Sequence, residues 1–296
     1  MWVLVCNSIW HDATGHTPER RKFGPETAGS INPDVLKAIV DYVHEYHPVT
    51  APIPTIQYAV AISLPWSVCE GTSPHDLQKH LPVTELQAMK SKLEEDFLYE
   101  GDHIVAAKPN KKDNRSLHSE WLMLSLDQNE VSPVSRLLDK SRGQLKCQVT
   151  RALEQWFGSN RYTRWFLNNP CGWNGCFIFF TYFAPCLGTC LNLKDDHHIQ
   201  ELMDGIFGAI NEDRRALAFK EVFQQDRGRG KQLVWNSWQT LCKVPLYQCD
   251  EQGCHSCEEK DVNKNSCLRA VRNPATPARR QSMGVDAKVG GDCPQD

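Results

Sequence analysis

The chain has 296 residues, of which 41% are hydrophobic and 23% are charged, and this composition can support a buried core in one large domain or two small ones. It is not the composition of an intrinsically disordered or coiled-coil protein. The formal net charge is −3, from 33 basic and 36 acidic residues, so the chain lacks the basic excess that is typical of non-specific nucleic-acid binding.

The N-terminal residues 1–10 are apolar but contain no basic residue, and this apolar run is shorter than that of a usual signal peptide. The segment is interpreted either as a degenerate signal or as an ordinary short strand. No run elsewhere approaches the roughly 18 consecutive apolar residues of a membrane span. The sequence therefore predicts no membrane association.

Hydrophobic periodicity and turn residues predict three helices and two strands in the first half of the chain. The helices are expected at residues 33–47, 84–97 and 116–126, with Ser116 as the N-cap of the third, and the strands at residues 55–64 and 102–107. The strand at 55–64 is apolar throughout, which is typical of a strand that is buried on both faces.

The second half of the chain is also predicted to contain both strands and helices. Strands are predicted at residues 176–182 and 217–223, and helices at residues 145–158, 198–210 and 232–241, together with a helix that begins at Pro185. After Leu268 the chain has almost no aromatic or branched apolar residues, and its end is predicted to be a disordered tail. The order of elements predicts an α/β fold with a mixed central β-sheet sandwiched by helices.

The chain contains 13 cysteines, an unusually high and odd number, so at least one cysteine cannot form an intramolecular disulfide. Disulfides persist in oxidising compartments. Secretion is therefore expected, with a cytoplasmic or nuclear location as the alternative. Two of the thirteen, Cys186 and Cys190, are assigned below to a metal site. The other eleven are expected to form up to five disulfides and to leave one thiol over, for which Cys6 and Cys293 are the candidates.

The sharpest chemical signal is a histidine, a glutamate and two cysteines in a fixed order. His118 and Glu120 are separated by one residue, and Pro185-Cys186 is followed by Cys190. A catalytic zinc site takes three nitrogen or sulfur ligands and leaves a fourth position to water. His118, Cys186 and Cys190 are the predicted ligands, because cysteines at i and i+4 of a helix share one face. Glu120 is predicted to handle protons without binding the metal.

The alternative interpretation of these residues is structural. A core histidine and two buried cysteines, free or disulfide-bonded, are common in proteins without any metal. The agreement of four residue types in the right order, with a proline before the first cysteine and a strand before the proline, favours the zinc site.

The pattern H-x-E followed by P-C and a second cysteine resembles the cytidine deaminase-like superfamily, in its AID/APOBEC-like branch. The resemblance covers about residues 50–245 and extends to the order of elements. A hairpin (55–64 and 102–107), the His118 helix, the strand at 177–182 and the cysteine segment follow one another as they do in that fold. The tryptophan- and cysteine-rich composition and the long insertion resemble the secreted novel AID/APOBEC-like deaminases.

The resemblance divides the chain into three regions. These are an N-terminal extension with a helix (1–49), a zinc deaminase-like domain (50–245), and a cysteine-rich segment with the disordered tail (246–296). Two features depart from the family pattern: three residues, rather than two, separate Cys186 from Cys190, and 64 residues (121–184) separate Glu120 from Pro185. The second departure implies an inserted helix or a loop closed by a disulfide, for which Cys147 and Cys176 are one candidate pair.

The activity that the resemblance implies is hydrolytic deamination of cytosine to uracil. Zinc lowers the pKa of its bound water, Glu120 takes the proton, and the hydroxide attacks C4 of the base. Family sites stack the base on an aromatic residue just before the cysteines, and Tyr182 and Phe183 are the candidates. Packing at the strand end is an equally good interpretation of both.

Other cysteine and histidine groups are weaker candidates for metal sites. Cys171 and Cys176 flank a glycine-containing turn, so a local disulfide is preferred. Disulfides are also preferred for the C-terminal group, because its single Cys-x-x-Cys pair has no matching second pair. That group comprises Cys249, Cys254, Cys257 and Cys267, with His255 beside them. His197-His198, next to Asp195-Asp196, is interpreted as a solvated face.

Basic and aromatic residues supply a hypothesis about the partner. Phosphates could lie on the cations and bases on the rings of a strip for single-stranded nucleic acid. The strip would comprise residues 108–115, Arg161, Arg164, Arg214, Arg215, Arg227, Arg229 and Lys231, with Trp156, Tyr162, Trp165 and Trp173. Solvated charges and buried tryptophans are the alternative.

The expected substrate is cytosine in single-stranded DNA or RNA. A free cytosine nucleoside is the alternative within enzymes. A secreted, disulfide-rich interaction protein with a structural zinc site is the alternative outside them.

Overall fold

The computed structural model describes residues 30–49, 57–71, 75–112, 115–144 and 174–274. The strands in these ranges are β1 (Ala59–Pro65), β2 (Leu98–Glu100), β3 (Ile104–Ala107), β4 (Asn110–Lys112), β5 (Arg115–Leu117), β6 (Gly175–Phe183), β7 (Arg215–Glu221), β8 (Leu246–Asp250) and β9 (Gly253–Ser256). The α-helices are α1 (Pro33–His44), α2 (Trp66–Glu70), α3 (His75–His80), α4 (Val83–Glu95), α5 (Ser119–Leu124), α6 (Pro133–Gln144), α7 (Gln200–Gly208) and α8 (Lys231–Trp238).

Seven of the strands form one mixed sheet in the order β2-β3-β1-β6-β7-β8-β9, and β4 pairs with β5 in a separate hairpin. Strand β1 is antiparallel to both β3 and β6. Strands β6, β7 and β8 are parallel, and β9 returns antiparallel to β8. The predicted mixed sheet and the predicted pairing of the first two long strands are confirmed.

Strand β6 lies at the centre and separates two hydrophobic cores. Its side chains alternate between the faces of the sheet, as the two-residue repeat of a strand requires. Phe177 and Phe179 enter one core, with side chains of α5, α6, α7 and α8. Ile178 and Phe180 enter the other, with side chains of α1, α2, α3 and α4. The apolar run that identified this strand in the sequence therefore reflects burial on both faces.

Helix α1 shows how the sequence encodes an element outside the sheet. The side chain of Asn32 caps the helix by accepting a hydrogen bond from the Asp34 amide, and Pro33 follows at the first helical position. Its buried side chains, Leu36, Ile39, Val40 and Val43, recur at helical spacing. The helix lies before residue 50, and β8 and β9 lie after residue 245, yet all three belong to the same layered unit.

Two predicted helices differ in the structure. The helix predicted at 116–126 begins only at Ser119, because Ser116 lies in β5 and His118 takes the N-cap position. The helix predicted from Pro185 is wrong, since residues 184–199 form turns without an α-helix. Gly188 and Thr189 are weak helix formers, and the Leu191 amide bonds to the carbonyl of Cys186 (2.9 Å), five residues back instead of four.

The remaining predicted elements agree with the structure to within a few residues or lie outside the described residues. The helices predicted at 84–97, 198–210 and 232–241 correspond to α4, α7 and α8. Residues 1–10, the helix predicted at 145–158 and most of the predicted tail lie outside the described residues. The longest described helix has 13 residues, too few to cross a bilayer, and none of the described helices qualifies as a membrane span.

Three disulfides are described, and one of them overturns both pairings predicted for Cys176. Cys176 is bonded to Cys69 of α2, so it pairs neither with Cys171 nor with Cys147, and those two residues lie outside the described ranges. Cys249 is bonded to Cys254, its direct partner across β8 and β9. Cys257 is bonded to Cys267, which confirms disulfides over a second zinc site. Cys242 is also disulfide-bonded.

Candidate metal centre and its proton acceptor

The candidate site lies where β6 ends. The chain leaves β6 at Phe183 and enters the cysteine turn, which we define as residues 184–191 and which holds Cys186 and Cys190. His118 lies at the N-cap of α5, directly after β5. Side chains of α5 and of the cysteine turn belong to the same buried core. Segments that are more than 60 residues apart in the sequence therefore meet at one point.

The three predicted ligands are brought together. One ligand atom from each of His118, Cys186 and Cys190 lies within 4.8 Å of the others. The Nδ1 atom of His118 is 3.2 Å from the sulfur of Cys190 and 3.7 Å from that of Cys186. For Zn–S bonds of about 2.3 Å and a Zn–N bond of about 2.0–2.1 Å, tetrahedral geometry separates sulfur from nitrogen by about 3.6 Å. The donors and their spacing both fit zinc.

The cysteine turn presents both sulfurs without the helix that the sequence predicted. Besides the bond from the Leu191 amide, the Cys190 amide lies 3.5 Å from the sulfur of Cys186 and donates to it. Asn192 closes the turn further through its side-chain amide, which donates to the carbonyl of Gly188 (3.1 Å). A closed turn thus brings the sulfurs together, where the sequence predicted neighbouring positions on a helix face.

The protonation of the three ligands follows from their contacts. Hydrogen bonds from Cys190 and His118 lower the pKa of Cys186, against the opposing effect of burial. The pKa of Cys190 is raised by its bond to Cys186 and by complete burial. The pKa of His118 is raised, first by its hydrogen bond with Cys186. Metal binding requires deprotonated ligands, so zinc would displace protons from this cluster.

Glu120 is buried beside the ligands, with only 1% of its surface exposed. Its Oε1 atom accepts hydrogen bonds from the Thr181 hydroxyl (2.6 Å) and the Gln57 side-chain amide (3.2 Å). The Ser119 hydroxyl donates to Oε2 (3.1 Å). A buried carboxylate requires such partners. The three donors fix the position of the predicted proton acceptor.

Sequence reasoning missed these three donors. Gln57 precedes β1 and Thr181 lies on β6, so both are far from Glu120 in the sequence. One signal was present: Thr181 is a polar residue inside the most apolar strand, and it is fully buried. Buried polar groups are hydrogen-bonded, so a polar position in such a strand indicates a partner.

The two predicted stacking residues have different positions. Tyr182 packs in the core on the sheet face opposite Phe177 and Phe179, and its hydroxyl donates to Glu221 (3.0 Å). Burial and this hydrogen bond raise the pKa of Tyr182 to about 12. Phe183 is partly buried at the end of β6. It packs against the same core as Tyr182, and its ring lies edge-on to Phe223 (5.7 Å between centroids). The structure therefore does not bring Tyr182 to the metal ligands.

Three arginines of the proposed nucleic-acid strip lie at opposite ends of the sheet. Arg215 lies at the start of β7, opposite Phe177, and so at the end away from the cysteine turn. Its guanidinium bonds to the carbonyls of Phe207 and Ile210. Arg227 and Arg229 follow β7, at the end where the cysteine turn lies.

Several residues of the strip are elsewhere. Residues 110–112 and 115–117 form the β4–β5 hairpin that leads into His118. Arg161, Arg164, Trp156, Tyr162, Trp165 and Trp173 lie outside the described residues.

Asp195 and His197, predicted to be solvated, are partly buried in the turns before α7, and the ring of His197 is edge-on to Trp121 (5.0 Å).

One comparison with known proteins gave a match. A protein-family model described as Secreted Novel AID/APOBEC-like Deaminase 1 matches residues 33–154 and 153–271, which together are most of the chain. The first segment includes His118 and Glu120, and the second includes Cys186 and Cys190. No significant match was found among curated proteins or among solved structures.

Proposed function

Because the chain belongs to the secreted novel AID/APOBEC-like deaminase 1 family, we propose that it is a zinc-dependent hydrolase that converts cytosine to uracil in single-stranded nucleic acid. The observation that carries the proposal is the buried Glu120 carboxylate beside a cluster of His118, Cys186 and Cys190. The three ligands would leave the fourth zinc position for water.

A zinc ion bound by these ligands would supply a nucleophile at neutral pH by lowering the pKa of water. The residues of the chain then handle the protons. Glu120 accepts a proton from the attacking water as oxygen bonds to C4 of the base, and returns it to the ring nitrogen N3. It carries the second proton of that water to the amino group, the C4–N bond breaks, and ammonia leaves. Water and cytosine thus give uracil and ammonia.

The hydrogen bonds to Glu120 support this role. A carboxylate that moves protons between two atoms must stay in reach of both. The donors Thr181, Gln57 and Ser119 come from a strand, a loop and a helix, so the carboxylate is fixed from three directions. Phe183, partly buried at the end of β6, is the proposed stacking surface for the base.

Single-stranded DNA or RNA is the proposed partner. Family membership supports a nucleotide substrate, and Arg227, Arg229 and Lys231 lie at the same end of the sheet as the cysteine turn. The three described disulfides and the family name support secretion, because disulfides persist outside the cytosol.

The test measures zinc content and uracil formation on an oligonucleotide with one cytosine and on free cytidine. We expect about one zinc per chain and uracil in the oligonucleotide, with an affinity that falls as salt rises. Glu120→Gln keeps the shape of the side chain and should retain zinc, but lose about 10²–10⁴-fold in rate. Glu130→Gln, at an exposed position, is the control and should match the wild type.

Each other result has a defined meaning. Activity on cytidine alone would replace the proposal with a free nucleoside deaminase. Zinc without activity on either substrate would favour the interaction protein with a structural metal. A chain that binds no zinc, when purified without chelators, would refute the proposed function.

A further inference from the structure

The two ends of the cysteine turn are attached to the protein in different ways. At the Cys190 end, the carbonyl of Cys190 accepts a backbone hydrogen bond from the Ile199 amide (2.9 Å). At the Cys186 end, the Ala184 amide donates to the carbonyl of Glu221 (2.8 Å) before the ligand, and after it the amide of Leu187 donates to the carboxylate of Asp226 (3.0 Å). The ligand Cys186 is therefore adjacent to an anchor that depends on a single side chain from another segment.

Asp226 is buried to 2% exposure, and burial raises its pKa. A buried carboxylate is unfavourable unless it is paired and hydrogen-bonded. Here one oxygen accepts the Leu187 amide, and the other lies 3.3 Å from the guanidinium of Arg229. The hydrogen bond to the Leu187 amide therefore gives a reason for the presence of a carboxylate at this buried position.

The segment that carries Asp226 is itself held firmly. We define the brace loop as residues 222–230, which follow β7. The guanidinium of Arg227 donates to the carbonyl of Val222 and pairs with Glu221. The carbonyl of Arg227 accepts the Arg272 amide (2.7 Å), from the segment after the Cys257–Cys267 disulfide. Asp226 thus connects the cysteine turn to a fixed part of the protein.

We propose that Asp226 is a positioning residue that fixes the Cys186 end of the cysteine turn and thereby sets the affinity and geometry of the metal site. This inference rests on the proposed zinc site. Residues that orient metal ligands typically change metal affinity or activity by about 10–100-fold when they are mutated. Asp226 is not one of the candidate metal ligands, and its proposed effect passes through the backbone at Leu187.

The test measures zinc affinity of the full chain by competition with a chromophoric chelator, and the absorption spectrum of the cobalt-substituted protein. Asp226→Ala removes the acceptor, and we expect zinc affinity to fall by about 10–100-fold and the cobalt bands to shift. Asp226→Asn keeps an oxygen that can accept the Leu187 amide, and should retain most of the affinity. Asp196→Ala, at an exposed aspartate in the segment after the cysteine turn, is the control and should leave both readouts unchanged.

The outcomes separate this inference from the proposed function. Wild-type zinc affinity and spectrum in Asp226→Ala would overturn the positioning role and leave the zinc site intact. If the wild-type chain binds no zinc, the proposed function fails instead. If Asp226→Ala does not fold, Asp226→Ser is measured in the same way, because serine is too short to reach the Leu187 amide. Unchanged affinity in that variant would also overturn the inference.

Discussion

Among single residues, Thr181 illustrates how one polar atom in an apolar strand serves the site. Its hydroxyl is 2.6 Å from Glu120 and 3.0 Å from the carbonyl of Phe183. A hydroxyl has one proton to donate, and the shorter contact to a carboxylate is the stronger one. Thr181 therefore links the central strand of the sheet to the residue proposed to transfer protons.

Thr181→Val keeps the shape of this side chain and removes its donor. A hydrogen bond to a charged group contributes about 1.5–3 kcal/mol, which corresponds to a fall of about ten- to a hundredfold in kcat. KM and zinc content should stay close to wild type, since neither the ligands nor the exposed surface changes. Steady-state kinetics check this expectation, and Thr181→Ser, which restores the hydroxyl, should recover most of the rate.

Two histidines should give opposite pH dependence of stability. Burial lowers the pKa of His44 to about 4, assisted by Lys220 and His47 and opposed by Asp41. The pKa of His103 is raised, first by the hydrogen bond of that side chain to Glu85. The stability due to neutral His44 is present above about pH 6.5 and lost as the pH falls towards 4. The stability due to charged His103 is present below about pH 6.5 and lost as the pH rises through its folded pKa.

Urea unfolding between pH 4.5 and 8.5 measures both effects. His44→Gln should weaken the loss of unfolding free energy that the wild type shows on acidification. His103→Gln should weaken the loss that appears on the alkaline side. Parallel pH profiles in the wild type and both variants would contradict the assigned shifts.

At the scale of elements, sequence patterns predict the strands that consist of a continuous apolar run. Strand β6 has eight buried residues among nine, and its composition alone identifies it. Strands β2, β8 and β9, with three to five residues each, have no comparable apolar run, so local patterns miss them. They are strands because neighbouring strands complete their hydrogen bonds.

The sequence predicted which residues form the candidate site, but not the residues that support them. His118, Glu120, Cys186 and Cys190 have residue types and an order that zinc chemistry restricts strongly. The shape of the cysteine turn was not predictable, because a proline followed by two cysteines fits a helix start equally well. The supports Gln57, Thr181 and Asp226 are common polar residues, and only the folded chain brings them near the ligands.

The Cys69–Cys176 disulfide joins α2 to the start of β6 across 107 residues of sequence. The entropy of the closed loop implies a loss of about 5 kcal/mol when both cysteines become alanine, against about 3 kcal/mol for the shorter loop of Cys257–Cys267. Chemical denaturation of the two double variants measures this difference. Zinc content should be unchanged in the Cys69→Ala/Cys176→Ala protein, because the disulfide lies at the end of β6 away from the cysteine turn. Equal losses would show that loop length does not govern the effect.

For the whole molecule, the sheet and its two hydrophobic cores are expected to provide most of the stability of the fold. A bound metal is expected to increase that stability further. The two hydrophobic clusters lie on opposite faces of the sheet, and together they include buried side chains from all eight described helices. The zinc-free chain is therefore expected to remain folded. Zinc should add about 2.7 kcal/mol at a free concentration one hundred times its Kd.

Thermal unfolding before and after chelation measures that increment. We expect chelation to lower the Tm of the wild type reversibly and to leave Cys186→Ser unaffected. A chain that unfolds completely on chelation would mean that the metal, and not the sheet, holds the domain together.

The proposed zinc site would impose an order on the maturation of this protein. Seven of the described cysteines are disulfide-bonded, whereas Cys186 and Cys190 are free thiols close together in space. Thiolates are the reactive form in disulfide exchange, so an oxidant that closes the structural bridges also threatens this pair. In the proposed site, zinc would bind the same two sulfurs as ligands. If the proposed site is correct, metal would have to reach Cys186 and Cys190 before an oxidant does, and a chain that is oxidised first would lose its site while keeping its fold.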